Sequence, residues 1–222
     1  FKDDEILFMA TANGGTSVYG ADDDLNLRFL PIAMLQSGLG SYTNSDLSKY
    51  LAGKQASVSV TLDDYARSVS GSCVVKDLPS LMELIYMTFT AYNITPDEFA
   101  STQNVYTGAL QNQEANPEYQ FGKGFQMDTY VSPRNYAVDV ATIQNANRER
   151  ILDIIHQQLA DAGQFTFYFV GNVNAETLKP LVEQYIATLP KGAAPKEVKL
   201  AGLGFKKGAS TDRETFKMDI PQ

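Results

Sequence analysis

Few side chains here could carry chemistry, and their counts limit it at once. His156 is the only histidine and Cys73 the only cysteine. A lone thiol permits no internal disulfide and no thiolate metal cluster, and a lone imidazole removes every mechanism that needs two. His156 could act as a metal ligand or general base, yet Leu152 and Ala160 stand where helical partners would be needed. It reads instead as a histidine on the flank of a helix. Cys73 lies on the apolar side of an alternating run and reads as a small core residue. Asp22, Asp23 and Asp24 suggest calcium, but the loop has Leu27 where glycine is required and Ala33 where a bidentate glutamate is required. The run suits the N-terminus of a helix better. Gly122-Lys123-Gly124 lacks the frame of a phosphate loop, and the serines at 57, 59, 68, 70 and 72 lack a nucleophile elbow. Asn93-Ile94-Thr95 is formally a glycosylation acceptor, although Thr95 is also placed to cap a helix. The residues alone supply no complete catalytic constellation.

The elements that position these groups follow from periodicity. Residues 5–12 read as a strand closed by Asn13-Gly14-Gly15. A helix is expected from the mid-twenties to Ser37, with Pro31 forcing a late start or a kink. Thr43 to Ser45 can cap a short helix, Asp46 to Ala52. Ala56, Val58, Val60 and Leu62 alternate with polar neighbours, as do Arg67, Val69, Gly71, Cys73 and Val75 with serines. Asp63-Asp64 between them predicts an antiparallel hairpin with one wet face. Asp77 is placed to cap a helix carrying Leu81, Leu84, Ile85, Thr88 and Phe89. Thr95-Pro96-Asp97-Glu98 reads as a capping box whose helix ends before Asn116-Pro117. Glu118 to about Tyr130 forms a further helix, and Asn145 or Asn147 starts one with Ile151, Ile154, Ile155 and Leu159. Phe165 to Val170 is a strand, and Asn174 caps a last helix ending before Pro190. The order predicts an α+β fold, a mixed and largely antiparallel sheet with helices packed on one face. Lys196 to Leu200 and Glu214 to Ile220 read as further strands.

The chain has 222 residues, 44% of them hydrophobic, and a net charge of −8. It can bury a full core, and its acidity disfavours nucleic acid as a partner. No apolar run approaches the roughly 20 residues needed to span a bilayer. The ends at Phe1 and Gln222 suggest a segment excised from a longer protein.

A set of ordered stretches resembles the second half of M16-type zinc peptidases, the pitrilysin and insulinase clan. They are Gln36-Ser37-Gly38-Leu39-Gly40, Asp46-Leu47, Leu51-Ala52-Gly53-Lys54, Ser70-Gly71-Ser72 and Lys76-Asp77-Leu78. Phe165 to Gly171-Asn172-Val173, then Leu178-Lys179-Pro180-Leu181 to Leu189-Pro190, is similar to that family's strand, glycine turn, helix and Leu-Pro ending. The resemblance runs from about Ile6 to Pro190. It implies an M16 peptidase-like, or metallohydrolase-like, half-domain over residues 1–190. Residues 191–222 would be a linker and the first strands of a following unit. In the family, two histidines of a His-x-x-Glu-His motif and a distal glutamate hold zinc, and the motif glutamate activates water. This chain cannot contain that motif, so the resemblance implies a non-catalytic repeat. Zinc is expected in a catalytic half, on the same polypeptide or a partner subunit, with peptides as substrates.

Many second halves supply an arginine and, seven residues later, a tyrosine near the substrate. Placing Leu47 on the leucine of that frame puts Ser48 and Gln55 at those positions, so neither residue type matches. Arg67 on the hairpin is the one residue offered as a substitute, against the plainer reading of a solvated strand arginine. Ser48, Gln55 and Arg67 are therefore candidate substrate-binding residues by position only. A catalytically dead scaffold or binding homologue is the alternative, and the Leu-Ala-Gly-Lys variant resembles bacterial envelope peptidases, periplasmic or membrane-associated.

Overall fold

A computed structural model describes residues 4–193, 204–211, 213 and 215. Strand β1, Ile6–Asn13, buries Ile6, Phe8, Ala10 and Ala12 and turns Leu7 and Met9 outward. Gly14 and Gly15 then take positive φ, 142° and 82°. A Cβ on Gly15 would stand 2.1 Å from the Asp63 carbonyl oxygen, so only glycine lets the chain pass this close to the hairpin turn. Helix α1 spans Asp24–Ala33 with Pro31 inside. Its α geometry gives way to a 3₁₀ turn at Met34–Gln36, the change of winding that proline provokes. A two-residue strand β2, Gly38–Leu39, leads to helix α2, Asn44–Tyr50. That helix starts two residues earlier than its sequence suggests because Thr43 and Asp46 close a reciprocal capping box.

The predicted hairpin forms as β3, Ala56–Leu62, and β4, Ala66–Cys73. Helix α3, Leu78–Ala91, buries the whole predicted stripe from Leu81 to Phe89. Asp77 makes no side-chain cap to it; its carboxylate instead accepts the Gln55 backbone N–H at 2.7 Å, tying the start of β3 to α3. The short β5, Tyr92–Asn93, pairs with β2. Helix α4, Pro96–Gln113, has the predicted Thr95–Glu98 box, and α5 covers Pro117–Thr129. Helix α6, Val140–Asn145, was not foreseen; Asp139 caps it by accepting the Thr142 N–H at 2.7 Å. Helix α7, Arg148–Leu159, is capped by Asn147, strand β6 is Thr166–Gly171, and α8, Ala175–Leu181, runs on into a π turn at Val182–Ile186.

Among the described residues the main sheet has the order β3-β4-β1-β6, and every pairing is antiparallel rather than mixed. One face carries Ile6, Phe8, Ala10, Val69 and Cys73 under α3 and its neighbours. The other is open, with serines 57, 59, 70 and 72 pairing across strands and Leu7, Met9, Tyr168 and Val170 exposed. Phe8 packs between Phe167 and Phe169, and Phe89 meets Phe165 edge-on at 5.0 Å. Each such pair adds about 0.5–1.5 kcal/mol beyond burial. The helix after Asn174 packs on α3, and Val58 and Val60 are only half-buried because β3 is an edge strand. Gly204 to Lys206 returns to the end of α5, where Val131 N–H donates to the Gly204 carbonyl and Phe205 stacks on Tyr130. The strands expected at Lys196–Leu200 and from Glu214 to Ile220, Thr215 apart, lie outside the described residues.

Leu81 is fully buried between the sheet and the helices. Leu81→Ala should lower stability by about 2–5 kcal/mol, because the cavity relaxes only in part. Leu181→Ala, on the half-buried face of α8, should cost clearly less. Urea midpoints at unchanged m-value check both.

Candidate functional site: a groove along the edge strand

The register of β3 decides which of its backbone groups are free. Val74 N–H donates to the Gln55 carbonyl at 3.1 Å, and Asp63 N–H donates to the Ala66 carbonyl at 2.9 Å. Both lie in the same antiparallel register, so the odd-numbered residues 55 to 63 bond toward β4. The N–H and C=O groups of Ala56, Val58, Val60 and Leu62 therefore point away from the sheet. Among the described residues nothing in the sheet lies on that side of β3. Beside it runs a groove of about 610 Å³, walled by β3, by Pro31 of α1 and Met34 just after it, and by Leu47 of α2 and Leu51 just after it. The groove combines an apolar lining with an unpaired main-chain ladder.

Two of the three candidate residues flank this groove. Ser48 lies in its wall, exposed on α2, with its hydroxyl donating to the Asn44 carbonyl at 3.0 Å. Gln55 is exposed and directly precedes the groove-lining Ala56. Arg67 is elsewhere. It is 1% exposed on the core face of β4, opposite Ala12, so the reading of a solvated strand arginine is overturned. Its guanidinium donates to Gln164 Oε1 at 2.5 Å and Gln158 Oε1 at 3.4 Å, and lies 5.1 Å from the Phe165 ring centroid. Burial pulls its pKa below the usual arginine range, against the attraction of Tyr19 and Asp161. Gln158, fully buried, accepts from Gly15 N–H and donates to the Gly15 carbonyl, both at 3.1 Å, and donates to Tyr19. Sequence patterning missed this network because Arg67 and Gln158 lie on stripes that are otherwise apolar.

The remaining chemistry-bearing residues are committed to structure. His156 Nε2 lies 2.7 Å from the Tyr92 carbonyl oxygen, so Nε2 carries the proton and pins α7 to β5. Burial pushes the Cys73 thiol up to about 11. Asp23 is held by Arg150 Nε and Nη2 at 2.7 and 2.8 Å, and Asp24 by Arg134 at 2.7 Å, so arginines rather than a cation neutralise the acidic run. The Asn93 amide donates to the Gly40 carbonyl. Gly122-Lys123-Gly124 lies within helix α5. Among the described residues no three His, Cys, Asp or Glu side chains converge as metal ligands. No helix among them is long and apolar enough to cross a membrane.

No family model matches the sequence. The probable zinc protease PqqL of Escherichia coli (strain K12) is 21% identical over 194 residues, covering 87% of this chain and 21% of that protein. The crystal structure of the periplasmic protease PqqL from Escherichia coli superposes with a TM-score of 0.74 at 21% identity, over 94% of this chain and 23% of that one. The peptidase M16 inactive domain from Pseudomonas fluorescens follows at TM-score 0.67 and 17% identity, over 89% of this chain and 48% of that one. The chain has the fold of an M16-type half-domain. It spans about a fifth of the length of the curated relative it matches. The α+β, M16 peptidase-like fold that the resemblance implies is thereby found.

Two outcomes follow from the buried pairs. Gln158→Leu leaves both polar groups of Gly15 without partners and should cost about 2 kcal/mol or more in urea denaturation. Gln158→Glu should restore part of that loss by facing Arg67. The Arg150 hydrogen bonds hold the Asp23 carboxyl below its ordinary value of 3.8. Its contribution to stability is complete above that pH and is lost as pH falls through the lower folded value. Asp23→Asn should therefore lower stability near pH 7 and flatten the acid limb of the stability-versus-pH curve, so that the two proteins converge at low pH.

Proposed function

We propose that this chain is a non-catalytic, substrate-enclosing half of an M16-like zinc peptidase whose zinc site lies in another half. The observation that carries the reading is the relation to PqqL zinc proteases over most of the chain, combined with a single histidine that cannot form the family's zinc motif. The half-domain would pair with a catalytic M16-like half on the same polypeptide or a partner subunit. The relative described as a periplasmic protease supports a place in the bacterial envelope for the parent protein.

The groove gives this half a way to contact peptide. An extended chain laid along β3 would find the N–H and C=O groups of Ala56, Val58, Val60 and Leu62 at the two-residue spacing of a neighbouring strand. Main-chain bonding of that kind is tolerant of sequence, while the apolar wall selects side chains loosely. Hydrolysis itself would belong to the zinc half, where a bound metal would activate water. Ser48 and Gln55 occupy the positions at which many family members place arginine and tyrosine. We assign them to the substrate-facing wall, whereas the burial of Arg67 argues against the same role for it.

The purified chain should retain no stoichiometric zinc through dialysis and cleave no peptide. Zinc near one equivalent that disappears on His156→Ala would overturn the assignment. In the full-length parent, Ser48→Arg combined with Gln55→Tyr should raise kcat/KM for peptide hydrolysis. An inactive parent without zinc would favour the scaffold reading. Unchanged turnover and peptide affinity in a folded, active double variant would remove both residues from the substrate wall.

A further inference from the structure

On the far side of Leu47 and Leu84 from the groove is a second cavity, of about 310 Å³, lined by Tyr42, Tyr50, Tyr86, Tyr185, Glu83 and Met87. Four tyrosines and one carboxylate around so small a volume is an unusual wall. Tyr86 and Tyr185 stand edge to face, centroids 6.3 Å apart and planes at 67°, so together they make a corner of aromatic surface. Tyr50 donates its hydroxyl to Glu83 Oε2 at 2.9 Å, which holds that carboxylate in place. Tyr42 and Tyr50 are each about half exposed and leave the mouth open. Glu83 is half-buried, and among the described residues no cation lies within ion-pair distance of it.

We propose that this pocket is a recognition site for an organic cation of the size of an arginine or lysine head group. Ring faces carry negative potential and attract cations placed over them. The protein already does this locally, since Lys54 Nζ sits 3.9 Å above the Tyr50 ring. Burial, and after it the Glu83 carboxylate, raises the Tyr185 hydroxyl pKa, so the corner and the carboxylate sense each other. An uncharged apolar ligand would strip water from Glu83 and return nothing for it. A metal ion is a poor alternative, because one carboxylate and phenol oxygens do not make a metal-ligand set. Leu47 and Leu84 line both cavities, which favours a basic side chain of a peptide as the source of the cation. That source rests on the peptide reading of the groove; the affinity for a cation does not.

The test is a titration of the chain carrying ring-labelled tyrosine, followed by NMR. The probes are N-acetyl-arginine methylamide, choline and the neutral choline isostere 3,3-dimethylbutanol. Both cations should shift Tyr86 and Tyr185 signals and saturate, with the isostere weaker by about tenfold. Glu83→Gln and Tyr185→Leu should abolish saturation, whereas Tyr50→Phe, which keeps the ring, should retain it. Equal binding of the neutral isostere, or cation binding untouched by Glu83→Gln in a folded protein, would overturn the proposal. In the full-length parent, replacing arginine by citrulline in a cleaved peptide should raise KM several-fold. Cation binding without that change would support the pocket and overturn the peptide source in favour of a free organic cation.

Discussion

The architecture depends on one buried polar junction, Gln158 with Gly15 and Arg67. Gln158 comes from α7, Gly15 from the turn that closes β1, and Arg67 from β4, so three segments far apart in sequence meet at one amide. The junction is fully buried, and each of its backbone groups would be costly without a partner. It therefore sets where α7 lies across the sheet. Gly15 makes the approach possible, because the hairpin turn accepts the N–H groups of Thr16 and Ser17 at 2.8 Å and leaves no room for a side chain. Arg67 has no carboxylate within ion-pair distance among the described residues. It is held instead by two amides and an aromatic face, which avoids burying a second charge but leaves the guanidinium partly uncompensated.

With α7 and α3 fixed on one face, no described strand or helix covers the other face, and no described strand pairs with the β3 edge. An exposed edge invites uncontrolled pairing. Here α1 and α2 rise beside it and convert it into a groove. The same α2 presents Leu47 to the groove and to the tyrosine pocket, making one short helix the partition between two cavities. Its own stability rests on the Thr43–Asp46 box and on Glu98, which accepts the Asn44 N–H at 2.6 Å and ties α2 to the start of α4.

Charge serves structure more than chemistry in this chain. Asp23 and Asp24 are consumed by Arg150 and Arg134, and Arg134 also donates to the carbonyls of Thr16 and Tyr19. These arginines join the loop after β1 to α7 and to the segment before α6. An acidic run that resembles half of an ion site in sequence is thus a docking point for guanidinium groups. His156 and Cys73 are similarly absorbed, the one by a backbone carbonyl and the other by the core.

Local patterning determined a large share of this. The alternation in Ala56–Leu62 and Ala66–Cys73, the stripes of α3 and α7, and the Thr95–Glu98 box are written in neighbouring residues, since side-chain period and capping are short-range properties. The lone histidine likewise excluded a zinc motif without any structure. Three things were decided only in three dimensions. Strand order made β3 an edge and so created the groove, but nothing within β3 says which strand will lie beside it. Arg67 reads like a solvent residue, and became a core residue because Gln158 and Gln164, about a hundred positions away, converge on it. Helix α6, with its weak stripe, exists because Asp139 caps it and α1 and α4 cover it. Periodicity fixes which face of an element is apolar, whereas the partner of that face is set by long-range packing and by which buried polar groups can be satisfied together.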